Sequence, residues 1–250
     1  MSSINRIDDA GTVIWYVSGF FKKMNNDVFS YKWLRKNGSI YSQSAGRHQA
    51  YFLCLEGHNM VLRHYYRGGV IGKFNKDLFL REAVGKSRAM REFELLRWMR
   101  AQGLRVPYPL AARFVGLGLF YRADLIMERI LNTRTLADSL FDAPLVPQIW
   151  SRIGVRIGQM HALGVDHADL NCRNILLEGH KEVWLIDFDK CRRRADGHWK
   201  QSNLARLWRS LEKEKLRHPD LEFSEADWSA LKTGYQTGLK KVGDFLANDE

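Results

Sequence analysis

The sequence predicts an α+β chain in two lobes. Residues up to about 128 read as short alternating strands interrupted by one helix, whereas residues from 129 onward carry apolar stripes of helical period. Where the two patterns meet, Ala123, Leu125, Ile126 and Met127 read as a strand running into a connector at Glu128, which puts the lobes at residues 1–128 and 129–250. With 250 residues and 45% hydrophobic content, the chain has apolar material for one or two cores.

In the first lobe, residues 50–55 and 60–65 alternate around Glu56-Gly57-His58-Asn59, which predicts a hairpin. Residues 42–48 before it are small and polar and hold one glycine, Gly46. They read either as a turn covering a nucleotide or as an ordinary turn. Residues 87–100 place Met90, Phe93, Leu96 and Met99 at helical spacing, and Gly103 and Pro107 stop that helix. Glu92 and Glu94 on it are candidates to pair with a strand cation; Glu94 reads better as a surface carboxylate offsetting Arg91 and Arg97.

In the second lobe Ile149, Ile153, Ile157 and Met160 form a stripe of core type, closed by Gly164. Leu204, Leu207, Trp208 and Leu211 mark another helix. A last one opens with the capping pattern Ser224-x-x-Asp227 and carries Trp228, Leu231, Tyr235, Leu239 and Val242.

The strongest chemical signal lies between those helices. His167-Ala168-Asp169-Leu170-Asn171-Cys172-Arg173-Asn174 leads into the apolar run Ile175 to Leu177, and Val183 to Ile186 runs into Asp187-Phe188-Asp189. Gly179 and His180 predict a hairpin turn between the runs, so a two-stranded ribbon brings Asp187 back beside Asn174. An Asn and an Asp offer the few hard oxygens that Mg²⁺ takes when phosphates and water complete its shell. Asp169, left free of metal, can accept the proton of an attacking hydroxyl. This is equipment for phosphoryl transfer from ATP, and His167 reads as a brace for backbone.

Composition narrows the setting. The three cysteines, Cys54, Cys172 and Cys191, form no Cys-x-x-Cys pair, which argues against a disulfide framework or zinc site and for a reducing compartment. The longest uncharged run, residues 10–21, is 12 long, against about 20 for a bilayer span. It lacks the flanks of a secretory signal, and it becomes the first suspect for an inserted segment only if binding to neutral vesicles is tight and undisturbed by salt. The expected location is therefore cytoplasmic.

The net charge of +11 is concentrated: residues 63–105 hold eleven Lys/Arg against four Asp/Glu, and residues 188–217 hold ten against four. These are either solvated helix faces or surfaces for an anionic partner, namely ATP, an anionic lipid surface or a phosphorylated substrate. Nucleic acid is not expected, since no helix-turn-helix, zinc-finger or RNA-binding motif occurs.

The loop motif, Ile186-Asp187-Phe188-Asp189-Lys190, the stretch from Val61 to Gly69 with its Arg67-Gly68-Gly69, and Asn203-Leu204-Ala205-Arg206-Leu207 together resemble the Gram-negative 3-deoxy-D-manno-octulosonic acid (Kdo) kinases of the lipopolysaccharide kinase family. The resemblance runs over roughly residues 40–215. It implies a two-lobed protein-kinase-like fold, with an antiparallel-sheet N-lobe and a reduced, mainly helical C-lobe. By the same resemblance Asp169 is the catalytic base, Asn174 and Asp187 hold Mg²⁺, Glu92 is the helix carboxylate, and Glu128 is the connector residue near adenine; Gly46 belongs to the nucleotide turn.

Arg63 stands where such kinases place the strand lysine, with Arg67 and Lys73 as competitors. Ala168 replaces the arginine that receives an activation-loop phosphate in many protein kinases, so control by that route is not expected. Asp189 replaces a glycine, as a sugar contact or a solvated turn residue. The activity implied is ATP-dependent phosphorylation of the 4-hydroxyl of Kdo on a Kdo-bearing lipid A precursor, by a peripheral enzyme at the anionic cytoplasmic face of the inner membrane. Other small-molecule or atypical protein kinases of this fold, and a catalytically silent nucleotide- or lipid-binding module, are the alternatives. Retention of Asp169, Asn174 and Asp187 together weighs against silence.

Overall fold

The computed structural model describes residues 3–37, 39–43, 50–66, 77–179 and 181–246. They fall into two compact units: Met1–Ala101 with Pro107–Arg129, and Gln102–Val106 with Ile130–Glu250.

The first unit holds β1 (Ile4–Asp9), β2 (Thr12–Val17), α1 (Tyr31–Lys36), β3 (Ile40–Gln43), β4 (Ala50–Leu55), β5 (His58–His64), β6 (Phe79–Leu80), α2 (Arg88–Ala101), β7 (Pro109–Leu117) and β8 (Phe120–Glu128). The strands make one antiparallel sheet in the order β1-β2-β7-β8-β5-β4-β3, with β6 on β8. One face packs Ile14, Leu53, Met60, Leu62 and Ile126 with Leu34 of α1. α2 buries Met90, Phe93, Leu96 and Met99, and Phe93 meets Trp15 of β2 edge-on. Residues 10–21 are thus not a surface segment. They contain β2, with Val13, Ile14 and Val17 buried in the sheet.

The β4–β5 hairpin turns tighter than its sequence suggests, on Glu56 and Gly57 alone, both at positive φ (53° and 84°), with Leu55 opposite His58. That pair of conformations matches strand twist, so His58 and Asn59 join the strand instead of the turn.

The second unit holds β9 (Arg134–Thr135), α3 (Leu136–Asp142), α4 (Pro147–Ala162), β10 (Val165–Asp166), β11 (Ile175–Glu178), β12 (Glu182–Leu185), β13 (Arg192–Arg193), α5 (Trp199–Arg217) and α6 (Glu225–Leu246). Gln102–Val106 belongs here because the Arg105 carbonyl accepts the Leu185 N–H (3.0 Å) and its guanidinium lies over Trp184. α4 starts on Pro147, where a missing N–H costs nothing. α6 is capped by Ser224 and Asp227, each bonded to the other's backbone N–H.

Glycine decides how α4 and α6 meet. A Cβ at Gly154 would lie 1.9 Å from the Leu231 carbonyl oxygen and one at Gly158 2.3 Å from that of Tyr235. From the other helix, a Cβ at Gly234 would lie 1.9 Å from the Ser151 oxygen and one at Gly238 2.2 Å from that of Val155. Two reciprocal Gly-x-x-x-Gly faces therefore bring the backbones into direct contact. Among the described residues no helix is long and apolar enough to cross a membrane.

Candidate active site

The loop between β10 and β11 carries Asp169 and Asn174, and its shape is held from inside. Asn171 and Asn174 both donate side-chain N–H to the Asp169 carbonyl (3.0 and 2.9 Å). With its Nδ2 so placed, Asn174 is left with Oδ1 to meet a cation. β11 and β12 pair from Ile175 with Leu185 to Glu178 with Glu182, and the Ile186 N–H donates to the Asn174 carbonyl (3.0 Å). Asp187 therefore follows directly on a residue hydrogen-bonded to Asn174. Asp187 itself has a positive φ of 63°, a conformation Asp tolerates better than most residues. Asp169 is exposed and Asp187 half-buried.

His167 ties the loop to the Asp187 strand. It is fully buried, with Nδ1 accepting the Asp169 N–H (3.2 Å) and Nε2 donating to the Ile186 carbonyl (3.1 Å). Burial lowers its pKa, against the pull of the Ile186 carbonyl and nearby carboxylates, so the ring stays neutral and a single tautomer serves both bonds. Phe188 packs against the same ring.

α5 supplies a second brace that sequence reasoning missed. Asn203 is buried; its Oδ1 accepts the His167 N–H (2.9 Å) and bonds His161 Nε2 (3.2 Å), while its Nδ2 donates to Asp166 (3.0 Å). His161 completes the set with the Tyr235 hydroxyl (3.0 Å). Desolvation lowers the His161 pKa to about 4, and at neutral pH it is uncharged. Further along the helix, Ser210 accepts the Cys172 N–H and Glu214 takes Arg173 through two bonds (3.1 and 2.9 Å). Polar residues at 203, 210 and 214 on an otherwise apolar helix face were the available signal. Cys172 is a buried space-filler, its thiol pushed up by burial.

In the first unit Arg63 and Glu92 come together. Arg63, on β5, forms an ion pair with the buried Glu92 of α2, and the Tyr65 hydroxyl donates to Glu92 (2.6 Å) while accepting from Arg63 (3.0 Å). Glu94 is exposed, as expected. Glu128 ends β8, where its carboxylate accepts the Tyr108 N–H (3.3 Å) and faces Arg100 (3.5 Å). Asp189 is half-buried. Gly46, Arg67, Lys73 and His180 lie outside the described residues.

Comparison with known proteins gives the family and the fold. The model of the lipopolysaccharide kinase (Kdo/WaaP) family matches residues 31–235. A 3-deoxy-D-manno-octulosonic acid kinase of Vibrio parahaemolyticus is 39% identical over 228 residues, covering 91% of this chain and 95% of that protein. One of Photobacterium damsela subsp. piscicida is 43% identical over 205 residues, covering 82% and 85%. Among solved structures, WaaP in complex with acyl carrier protein aligns with a TM-score of 0.55 over 85% of each chain at 14% identity, a likeness of fold.

Proposed function

The chain belongs to the lipopolysaccharide kinase (Kdo/WaaP) family, and on that premise we propose that it transfers the γ-phosphoryl group of ATP to the 4-hydroxyl of Kdo on a Kdo-bearing lipid A precursor. The observation that carries the reading is the backbone hydrogen bond from Ile186 to Asn174, which pairs the residue before Asp187 with Asn174 in the loop that also carries Asp169.

Asp169 orients the acceptor hydroxyl and takes its proton as the oxygen bonds to the γ-phosphorus and ADP leaves. Asn174 Oδ1 and the Asp187 carboxylate would hold Mg²⁺, which when bound neutralises charge on the phosphates. The fit is chemical: these are hard oxygens, and the described residues contain no cluster of three His, Cys, Asp or Glu that would cage a metal without phosphate help. Arg63 takes the place of the strand lysine, its guanidinium positioned by Glu92 and Tyr65 to meet phosphate oxygens. Glu128, at the connector, would stand near adenine. His167 serves as a brace, not a proton carrier.

Purified protein incubated with labelled ATP and Kdo-bearing lipid A precursor should yield a product whose fragmentation places phosphate on the 4-hydroxyl of Kdo. Phosphate elsewhere, or no transfer, would overturn the assignment.

The basic excess supports a further part of the reading, reversible docking on an anionic inner leaflet where a lipid-linked acceptor resides. Arg192 and Arg193 are exposed on β13, whereas Arg194 binds Asp166 (3.0 Å) beneath the catalytic loop. Neutralising Arg192 and Arg193 should weaken co-sedimentation with anionic vesicles at low salt; Arg194 is left intact because its loss would disturb the loop.

A further inference from the structure

We propose that the β7–β8 turn and the adjoining β6 form an apolar tip that inserts into the headgroup region of an anionic phospholipid bilayer. The proposal rests on the reading above that the acceptor is lipid-linked, and assigns the contact to apolar side chains, of which Leu80 lies within the basic region of residues 63–105. Leu80, Leu117 and Leu119 are 66%, 41% and 79% exposed.

They form one patch: Leu80 and Leu117 both lie opposite Phe120 in register, and the Arg81 N–H donates to the Leu119 carbonyl (2.9 Å). The base of the patch is anchored, since Phe79 packs on Tyr121 and Phe114 stacks on the same ring. Gly118 gives the turn its positive φ of 60°. Leu117 and Leu119 at a hydrogen-bonded turn and Leu80 on β6 are thus exposed in a fixed geometry among the described residues.

Charge selects the occupant. Part of the positive charge over residues 63–105 is paired: Arg63 with Glu92, Arg91 with Glu82, Arg100 with Glu128 and Arg105 with Glu182. Beside the tip, Arg6 and Arg122 neutralise Asp8 and Asp77. Arg81, whose guanidinium donates to the Gly118 carbonyl (3.1 Å), and the exposed Lys86 have no carboxylate partner among the described residues. Asp9 on the adjoining β1–β2 turn opposes them, so the leucines should carry most of the binding. Exposed apolar side chains flanked by cations suit an interface of acyl chains and anionic headgroups.

The test uses the full chain and mixed phosphatidylethanolamine and phosphatidylglycerol vesicles. A leucine that leaves water contributes about tenfold to partition. The triple variant Leu80→Ser, Leu117→Ser, Leu119→Ser should therefore bind at least about a hundredfold more weakly, and Leu119→Ser alone about tenfold. Both should keep the wild-type unfolding midpoint, because the residues replaced are exposed. Wild type should retain part of its binding at high salt, and Arg81→Gln with Lys86→Gln should weaken only the salt-sensitive part.

Wild-type partition by the triple variant, no vesicle binding by wild type, or self-association through the tip in place of vesicle binding would each overturn the proposal. Turnover on a deacylated, water-soluble Kdo acceptor separates the two readings. The triple variant should turn it over normally. If wild type phosphorylates neither acceptor, the kinase reading fails while the vesicle result still decides this one.

Discussion

The two units hold their buried polar groups by different electrostatic means. In the first, buried charges are paired: Arg63 with Glu92, and His64 between Asp124 (2.7 Å) and Asp77 (3.3 Å), with Arg113 closing on Asp124 (2.8 Å). Burial works against the charged form of His64, yet the hydrogen bonds and charges of Asp124 and Asp77 outweigh it and raise its pKa. In the second unit His161, His167 and Asn203 act as neutral donors and acceptors around the loop, and the buried Glu214 pairs with Arg173. The exposed Asp169 is thereby held through backbone hydrogen bonds, whereas Arg63 is fixed by a carboxylate.

The largest effect that can break this contrast comes from the loop. Asp169→Ala should lower turnover by about 10² to 10⁴, the usual loss for a positioned base, with Mg·ATP affinity largely intact. Asp187→Ala should weaken metal-dependent nucleotide binding as well. Near-wild-type turnover by Asp169→Ala, measured beside ATP binding with and without Mg²⁺, would remove the loop from the chemistry.

Next comes the charge pair. Glu92→Ala strands Arg63 and should destabilise the protein by about 3 to 5 kcal/mol, read as a lower denaturant midpoint. Arg63→Met should lower turnover, and Arg63→Lys should restore part of it, since a point charge can still reach a phosphate. Equal activity in wild type and Arg63→Met, with loss at Lys73, would move the role to Lys73.

Acid should act on the units with opposite sign. His161 falls from 6.5 to about 4 in the folded protein. Between those values the unfolded chain binds more protons, so stability should decline as pH drops from about 6.5 to about 4, by about 3 kcal/mol in all. His64, raised on folding, works the other way: its contribution is complete below about 6.5 and is lost as pH rises through its folded value. A His161→Gln variant should show a shallower acid loss in denaturant titrations. An unchanged acid limb would mean that His161 is not buried neutral.

The smallest expected effect concerns packing alone. Gly154→Ala puts a methyl against the Leu231 carbonyl and should destabilise by about 1 to 3 kcal/mol, lowering the thermal midpoint without altering the Mg²⁺ dependence of nucleotide binding. An unchanged midpoint would show that α4 and α6 are not in backbone contact.

Where a feature depends on neighbours in the chain, the sequence was readable. The hairpin of β11 and β12, the five-residue step from Asp169 to Asn174, and the capping pair Ser224 and Asp227 are local, and all occur where the pattern puts them. Membership of Glu92 in the buried face of α2 was less evident, since a carboxylate there reads as surface until its cation is known. The apolar run at residues 10–21 was misleading because uncharged length says nothing about which sheet a strand joins.

By itself, then, the sequence determined which residue types the loop carries, the α2, α4, α5 and α6 helices and the β4–β5 and β11–β12 strand pairs, because φ/ψ preferences and hydrophobic period act over a few residues. Tertiary structure alone decided which groups hold that chemistry in place. Arg63 finds Glu92 at 29 positions' distance, Asn203 reaches His167 at 36, and His161 meets Tyr235 at 74. Each of these contacts depends on how a helix packs, and for α4 and α6 that packing is set by glycines whose absent side chains carry no hydrophobic signal.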